Sequence, residues 1–437
     1  MNNSINNYRF AKFDIEFLDA TFHLQSIFPR PFLRAPLGVP SWDQIQKKII
    51  LGQILNKNSQ ISYSQAMDIF EKMICQEIGS RFCIGTSTGR DAIKLSLLAM
   101  GLKTGDRVIL PDFCCLSVLT PVLELGLVPV FADVASDLQL DPKSVQRVMQ
   151  EGDKVLIVPH LFGGLAPMGE LIKMARDNGT MVIDDAAQAI GLKHSSGYAG
   201  SGGDCGILSF GLFKPVSAMG GGAFITDDEK IYKRAKTVIK NTPGKEFSTA
   251  AIVKIYLKMV WRRWSYALFL VHRWRQQRGE SQEPIKIFKN QMVGKISKFD
   301  AMMVVSQLKN ALQDKEGMKK SAFFFASRLK EIPYLASLMQ KEAVGFPRWP
   351  VEFVDSKHAV YPDFFKFMLK HGIEVQAAYR PLHSYIKEMG VPLEGEYKKS
   401  LDLYNKVVCF PFDSKKNDAK ILSCLEQFSA KVQADKR

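Results

Sequence analysis

From residue 80 to about 230 the apolar positions follow two alternating rhythms. Short unbroken apolar runs ("DRVILP", "VPVFADV", "KVLIVP", "TMVID", "DCGILSF") read as strands covered on both faces. Between the earlier of these runs, "DAIKLSLLAMGL", "SVLTPVLELGL", "DPKSVQRVMQEG" and "PMGELIKMARDNG" carry apolar residues at helical spacing and stop at glycine. Pro121 weakens the start of the second helix. The alternation predicts an α/β fold with a largely parallel sheet, and such sheets bind ligands beyond the carboxyl ends of their strands.

Polar residues collect at those ends: Asp112, His160, Asp185 with Gln188, and Ser209 with Lys214. Lys214 stands in "GILSFGLFKPVSAMGGGAFITDD" between two predicted strands, Gly206–Phe210 and Gly220–Thr226. A lysine there is either a solvated charge or a group aimed into a site, and the neighbouring polar residues favour a site. From about 290 onward, helical runs such as "KFDAMMVVSQLKNAL" mix with short apolar segments such as "KVVCFPF". The pattern predicts an arm over 1–40, a large domain over 41–290 with 41–75 helical, and a smaller C-terminal α/β domain over 291–437.

Composition narrows the function class only a little. A chain of 437 residues, 46% hydrophobic and 24% charged, is an ordinary globular protein. Its formal charge of +15 points to an acidic partner: nucleic acid, anionic lipid or a phosphorylated substrate. The seven cysteines are scattered and lack zinc spacing, which favours reduced thiols, a cytoplasmic location and no metal. The N-terminus has no basic region followed by an apolar one, so no signal peptide is expected.

Asp185 closes "MVID", where burial is expected, and a buried carboxylate needs a cationic or hydrogen-bonding partner. A protonated pyridine nitrogen is one such partner. Pyridoxal phosphate chemistry requires an acid at that nitrogen and a lysine for the Schiff base, roles that Asp185 and Lys214 can fill. A structural aspartate and an exposed lysine satisfy the same spacing. "STGRDAIKLSL" sets Gly89 before a helix, where backbone N–H groups either bind phosphate or are simply capped.

"STGRDAIKLSLLAMGLKTGDRVILPDF", "PVFADV", "IVPHLFG", "VIDDAAQAIG" and "ILSFGLFKPVSAMGGGAFITDD", in that order, resemble the DegT/StrS-type sugar aminotransferases. The resemblance extends over roughly residues 35 to 430, with weaker echoes in "RPLHSYIKEMG" and "KVVCFPF". It implies the pyridoxal-phosphate-dependent transferase fold type I. It also implies that Lys214 is the Schiff-base lysine, Asp185 the partner of the ring nitrogen, and Gln188 a neighbour of the phenolic oxygen. Ser209 and Gly89 fall on phosphate positions. Asn241 matches an asparagine that reaches the neighbouring subunit's phosphate, and His383 matches a histidine lining the sugar pocket.

Two departures stand out. Arg90 replaces a small residue after the phosphate-site glycine, so its guanidinium either pairs with phosphate or points away. Cys115 stands where the family places an aromatic that stacks on the cofactor ring, and a thiol offers no flat π-face. The resemblance implies transfer of an amino group from glutamate to a nucleotide-linked keto-sugar for a surface polysaccharide, by a homodimer. A dehydratase of the same family carries histidine in place of the lysine, so Lys214 argues against that activity. A non-catalytic, regulatory member remains the alternative from another class.

One stretch, about 248–285, does not match the family core. Within it "AIVKIYLKMVWRRWSYALFLVHRWRQQR" carries seven Lys/Arg and no acid. On a helix Lys254, Lys258 and Arg262 form one row and Arg273 returns to nearly the same azimuth. Arg262 and Arg263 interrupt any membrane span. The amphipathic pattern suits an anionic membrane surface or a helix packed on the protein itself or a dimer partner. It carries no zinc or RNA-binding motif, so nucleic acid is not expected as a partner.

Overall fold

The computed structural model describes residues 42–434 except 56–60, 265–291, 339–347, 354–363, 391–396, 412–417 and a few single or paired positions. The arm expected over 1–40 therefore lies outside the described residues. The chain forms a seven-stranded sheet in the order β1-β9-β8-β5-β4-β2-β3. These strands are β1 Phe82–Thr86, β2 Arg107–Pro111, β3 Val128–Ala132, β4 Val155–Pro159, β5 Met181–Asp185, β8 Cys205–Ser209 and β9 Gly222–Thr226. A two-stranded hairpin, β6 Lys193–His194 and β7 Gly197–Tyr198, branches off between β5 and β8.

Strands β8, β5, β4, β2 and β3 run parallel, while β9 pairs antiparallel with both β8 and β1. The carboxyl ends of β1, β2, β4, β5 and β8 therefore share one edge with the start of β9. Side chains alternate across the sheet with period two. Val108 and Leu110 enter one core with Ile93, Leu97 and Phe131, and Ile109 enters another with Leu156, Leu171 and Ala175. A third core joins Phe70, Ile74, Leu208 and Phe210 to Ile296, Phe299 and Met303.

The strand read from Gly206 begins one residue earlier and ends at Ser209, and the one read from Gly220 begins at Gly222. The second shift has a clear cause. The amides of Met219 and Gly220 donate to Asp300 Oδ1 at 3.0 and 3.1 Å, so they are not available to the ladder. Asp300 is in the helix Lys298–Val305, whose cap is Ser297.

The C-terminal part builds a four-stranded antiparallel sheet in the order β10-β11-β13-β12. Its strands are β10 Leu335–Ser337, β11 Arg348–Phe353, β12 Gln376–Ala377 and β13 Val407–Pro411. Trp349, Val351, Phe353, Val408 and Phe410 face a core with Phe325, Phe364 and Phe428. Val407 and Cys409, on the opposite face, join the core of the large sheet.

The helix Thr249–Trp264 contains the start of the basic stretch. Ile252 is buried, Ile255 and Tyr256 pack on the core behind β8, and Lys254 is exposed. The Tyr256 ring stacks on Trp42, with centroids 6.5 Å apart. Its first two turns thus dock on the protein itself. The side chains of Lys258 and Arg262, and all of Arg273, lie outside the described residues. Among the described residues no helix is long and apolar enough to cross a membrane.

Candidate active site

The strand-end edge brings most of the expected residues together. Lys214 lies on the loop from β8 to β9 and is half-buried. The loop is pinned from several sides: Phe210 N–H donates to the Gly221 carbonyl at 3.0 Å, Gly221 N–H to the Ser87 carbonyl at 2.9 Å, and the amides of Met219 and Gly220 to Asp300. Burial lowers the proton affinity of the Lys214 amine; Cys115 and Asp185 oppose that shift and the Arg348 guanidinium adds to it. Lys214 thus sits among Cys115, Asp185 and Arg348.

Asp185 is 4% exposed at the end of β5, and its Oδ1 accepts the Ala187 N–H at 2.9 Å. Burial raises its pKa; the Ala187 amide, Lys214 and His160 pull the other way. The carboxylate at the next position, Asp184, points to the opposite face because side chains alternate along β5.

Gln188 is buried in the loop after β5. Its Oε1 accepts the Phe162 N–H at 2.9 Å, and its Nε2 donates to the Tyr379 hydroxyl at 3.0 Å. Tyr379 arrives from the small sheet, with its ring centroid 5.3 Å from Phe162 and 6.1 Å from Phe113. Burial pushes the Tyr379 hydroxyl well above its ordinary value, so it stays protonated.

Gly89 opens the helix Gly89–Ala99, and the N-cap Thr88 accepts the Asp91 N–H at 3.0 Å. A Cβ on Gly89 would lie 2.8 Å from Ser209 Cβ, and one on Gly222 would lie 2.6 Å from Gly89 N. The helix start and the end of β8 therefore meet through small residues only. Arg90 is exposed on the first turn, and Asn241 is exposed after the helix Glu229–Ile239.

Cys115 is half-buried and is the N-cap of the helix Leu116–Glu124. Three residues before it, Asp112 grips His383. Asp112 Oδ1 accepts the His383 N–H at 2.7 Å, Oδ2 lies 2.7 Å from His383 Nδ1, and the Asp112 carbonyl accepts the Leu382 N–H at 2.7 Å. The His383 ring stacks on Tyr397 at 4.7 Å and is 2% exposed. His383 therefore belongs to a tie between the two sheets.

Sequence reasoning missed Arg348, Tyr379 and Asp300. Arg348 opens β11 on the face it shares with Pro350, which pairs with Cys409; that face turns toward the large sheet. β11 also packs against the turn Leu161–Gly163. The neighbourhood of Arg348 carried no periodic signal, and Tyr379 lay one position from the quoted "RPLH" without being singled out.

The donor set fits pyridoxal phosphate. An amine of lowered proton affinity lies within electrostatic reach of a buried carboxylate, and the helix Gly89–Ala99 brings its N-terminus to the end of β8 through Gly89, Ser209 and Gly222, small residues of the kind a phosphate can approach closely. The group would be held by Lys214, Asp185, Gln188, Ser209 and Gly89.

A family model described as the DegT/DnrJ/EryC1/StrS aminotransferase family matches residues 44–428. The chain is 34% identical over 170 residues to the 3-oxo-glucose-6-phosphate:glutamate aminotransferase of Bacillus subtilis, covering 38% of each chain. It is 30% identical over 201 residues to a pleiotropic regulatory protein of Geobacillus stearothermophilus, covering 45% of this chain and 54% of the other. It is 28% identical over 200 residues to the GDP-perosamine synthase of Escherichia coli O157:H7, covering 46% and 55%. The aligned stretches thus span about half or less of these curated relatives.

Two solved structures share the fold. Helicobacter pylori PseC, an aminotransferase of pseudoaminic acid biosynthesis, superposes with a TM-score of 0.72 at 17% identity, covering 92% of this chain and 100% of the other. The E. coli GDP-4-keto-6-deoxy-D-mannose-3-dehydratase with bound hydrated pyridoxal phosphate gives 0.71 at 18%, covering 90% and 98%. The fold expected from the sequence, type I with a mostly parallel central sheet, is the fold observed.

Proposed function

The chain belongs to the DegT/DnrJ/EryC1/StrS aminotransferase family, and we propose that it is a pyridoxal-phosphate-dependent aminotransferase moving an amino group from glutamate to a nucleotide-linked keto-sugar. One observation supports this reading most: Lys214 lies within electrostatic reach of the buried Asp185 carboxylate at the strand ends, on a loop pinned by Asp300. Of the relatives, the 3-oxo-glucose-6-phosphate:glutamate aminotransferase favours glutamate as donor, and the GDP-perosamine synthase favours a nucleotide-linked sugar.

When bound, pyridoxal phosphate supplies an electrophilic carbon and a protonated ring that withdraws electrons. Lys214 contributes an amine that gives up its proton readily, because burial and Arg348 disfavour the charged form. That amine can take the proton from the donor's Cα and return it later in the opposite half-reaction. Asp185, buried at the end of β5, would accept a hydrogen bond from a ring N–H, and its charge would strengthen that bond. Gln188, fixed by Phe162 and Tyr379, offers its remaining N–H to an oxygen. Cys115, beside Lys214, would offer a polarisable thiol rather than a stacking ring to a bound cofactor.

Lys214 favours transfer over dehydration. The apolar residues exposed on the helix Gln44–Ile54 (Ile45 and Leu51, 52% and 53% exposed) suit a homodimer surface. Contact with an anionic membrane is left to the part of the basic stretch beyond its docked first turns, and a cytoplasmic enzyme serving surface polysaccharide suits that placement.

The test is an absorbance spectrum of the protein with pyridoxal phosphate, before and after borohydride, beside Lys214→Ala. The expected result is a visible band that glutamate bleaches, and a phosphopyridoxyl mass on the Lys214 peptide. A native protein without a band, or with the label elsewhere, overturns the proposal. A band that no amino donor alters moves the reading to the regulatory alternative.

A further inference from the structure

Behind the strand ends lies a second buried polar cluster. His160 Nε2 is 2.9 Å from Asp184 Oδ1, His194 Nε2 is 3.1 Å from Asp184 Oδ2, and the Gly202 N–H donates to Oδ2 at 2.9 Å. Two imidazoles and a carboxylate within reach of one point have the composition of a metal site. The other ring nitrogens argue against that use. Nδ1 of His160 accepts the Ala166 N–H at 2.9 Å, and Nδ1 of His194 accepts the Ser196 N–H at 3.1 Å. Each ring therefore carries its proton on Nε2 and donates it to Asp184. A metal at that point would displace both Nε2 protons, and the rings would then have to lose the Ala166 and Ser196 bonds or remain as imidazolates.

The same atoms have a different consequence. Asp184 fixes the tautomer of His160, and that tautomer turns a lone pair toward Ala166 and closes the loop 160–166. Inside the closed loop Phe162 has φ 54° and ψ 27°, the left-handed region that a bulky side chain rarely enters. That conformation sends the Phe162 N–H to Gln188 Oε1, and Gln188 in turn donates to Tyr379. His160 also donates its own N–H to the Asp185 carbonyl at 3.0 Å.

We infer that His160, held by Asp184, is the positioning residue that aims Gln188 and Tyr379 into the cleft. The line runs from the back of the sheet to its front: Asp184, His160, Ala166, Phe162, Gln188, Tyr379. Its meaning for catalysis rests on the proposed function, whereas the loop closure is a property of the chain alone.

Two substitutions separate the two ends of the ring. In His160→Asn the side-chain oxygen takes the place of Nδ1 and keeps the Ala166 bond. In His160→Gln the terminal amide reaches Asp184 and the Ala166 bond is lost. Amide hydrogen exchange of the cofactor-free protein reads the loop, and titration with pyridoxal phosphate reads the site. The expected result for His160→Gln is at least tenfold faster exchange at Phe162 and Ala166. Its cofactor spectrum should change as in Gln188→Leu, with no further change in the double variant. His160→Asn should behave as the native protein in both measurements.

Equal behaviour of the two variants, native exchange in His160→Gln, or a full additional effect of Gln188→Leu on top of it would overturn the inference. Nitrogen NMR of the His160 ring in the native protein gives a check that needs no variant, and an Nδ1–H tautomer there overturns it too. If the native protein binds no pyridoxal phosphate, the proposed function fails while the exchange result still decides the loop.

Discussion

The contact between Gly89 and Ser209 allows a test that needs no substrate. A methyl group on Gly89 would sit 2.8 Å from Ser209 Cβ and 3.0 Å from Ser209 Oγ, with the Leu208 carbonyl next at 3.6 Å. The first two distances are too short for carbon, and the side chain that must yield is only one carbon long. Overpacking of this kind costs about 1–3 kcal/mol. Alanine in a helix otherwise gains about 0.5–1 kcal/mol over glycine. Gly89→Ala is therefore expected to lose about 0–2.5 kcal/mol, and Ser209→Gly in the same chain removes both close atoms. The double variant should then be more stable than the two single effects predict, with a coupling of about 1–3 kcal/mol. Urea unfolding of the four cofactor-free proteins measures it, and equal slopes confirm that the native state is the one affected. Additive effects, within about 0.5 kcal/mol, would mean that helix and strand end do not meet as described. The same methyl fills space beside the expected phosphate, so Gly89→Ala should also weaken pyridoxal phosphate binding in a titration.

Three other predictions address charge. Arg348→Met removes a cation that disfavours the protonated Lys214 amine, so the pKa of Lys214 should rise and its modification by trinitrobenzenesulfonate should set in at higher pH; peptide mass mapping of the cofactor-free protein reads it, and an unchanged profile refutes it. Burial pushes Glu71 up to about 7, against an unfolded value near 4.5, so the folded chain binds an extra proton between those values and loses stability as pH rises through them. Glu71→Gln keeps an acceptor for the Gly85 N–H but takes no proton, so its stability relative to the native protein should grow between pH 5 and 8 by up to about 3 kcal/mol, and a constant difference in urea melts refutes this. Lys94 and Glu124 meet at 2.8 Å with side chains 5% and 4% exposed; Glu124→Ala should cost about 3–5 kcal/mol in the same melts, whereas Lys94→Met with Glu124→Leu should cost far less.

How much of this could be read from the sequence depends on the distance over which each residue is held. The parallel sheet was legible because each strand is a local apolar run and each helix a local period. Lys214, Asp185, Gln188 and Ser209 were legible because a strand end is itself a local feature, and the topology puts all such ends on one edge. The hairpin Lys193–Tyr198 was not legible, since two residues per strand leave no period to detect. Asp300 read as a first-turn acid of its own helix, yet its carboxylate spans 80 positions to hold the Lys214 loop. Phe162 offered no signal either: its left-handed backbone is held by partners outside any local window, Gln139 on both sides of Leu161 and Gln188 on the Phe162 N–H, together with the His160–Ala166 closure, rather than by glycine.

The front of the site depends on the relation between the two sheets, which no window of sequence contains. Two ties cross from one sheet to the other, Asp112 with His383 and Gln188 with Tyr379, and both end in the short stretch 379–383. The first tie anchors the helix Leu382–Glu388 three residues from Cys115, and the second anchors the ring beside Phe162. Between them the stretch fixes how far the small sheet stands from Lys214. Arg348, on the inner face of that sheet, is thereby set within electrostatic reach of the lysine. A substitution at Asp112 should therefore disturb Lys214 without touching it, through the spacing of the sheets. The candidate site residues are on strand ends, but their separation from the small sheet is set by a hydrogen-bonded seam that joins positions more than 190 apart in the chain.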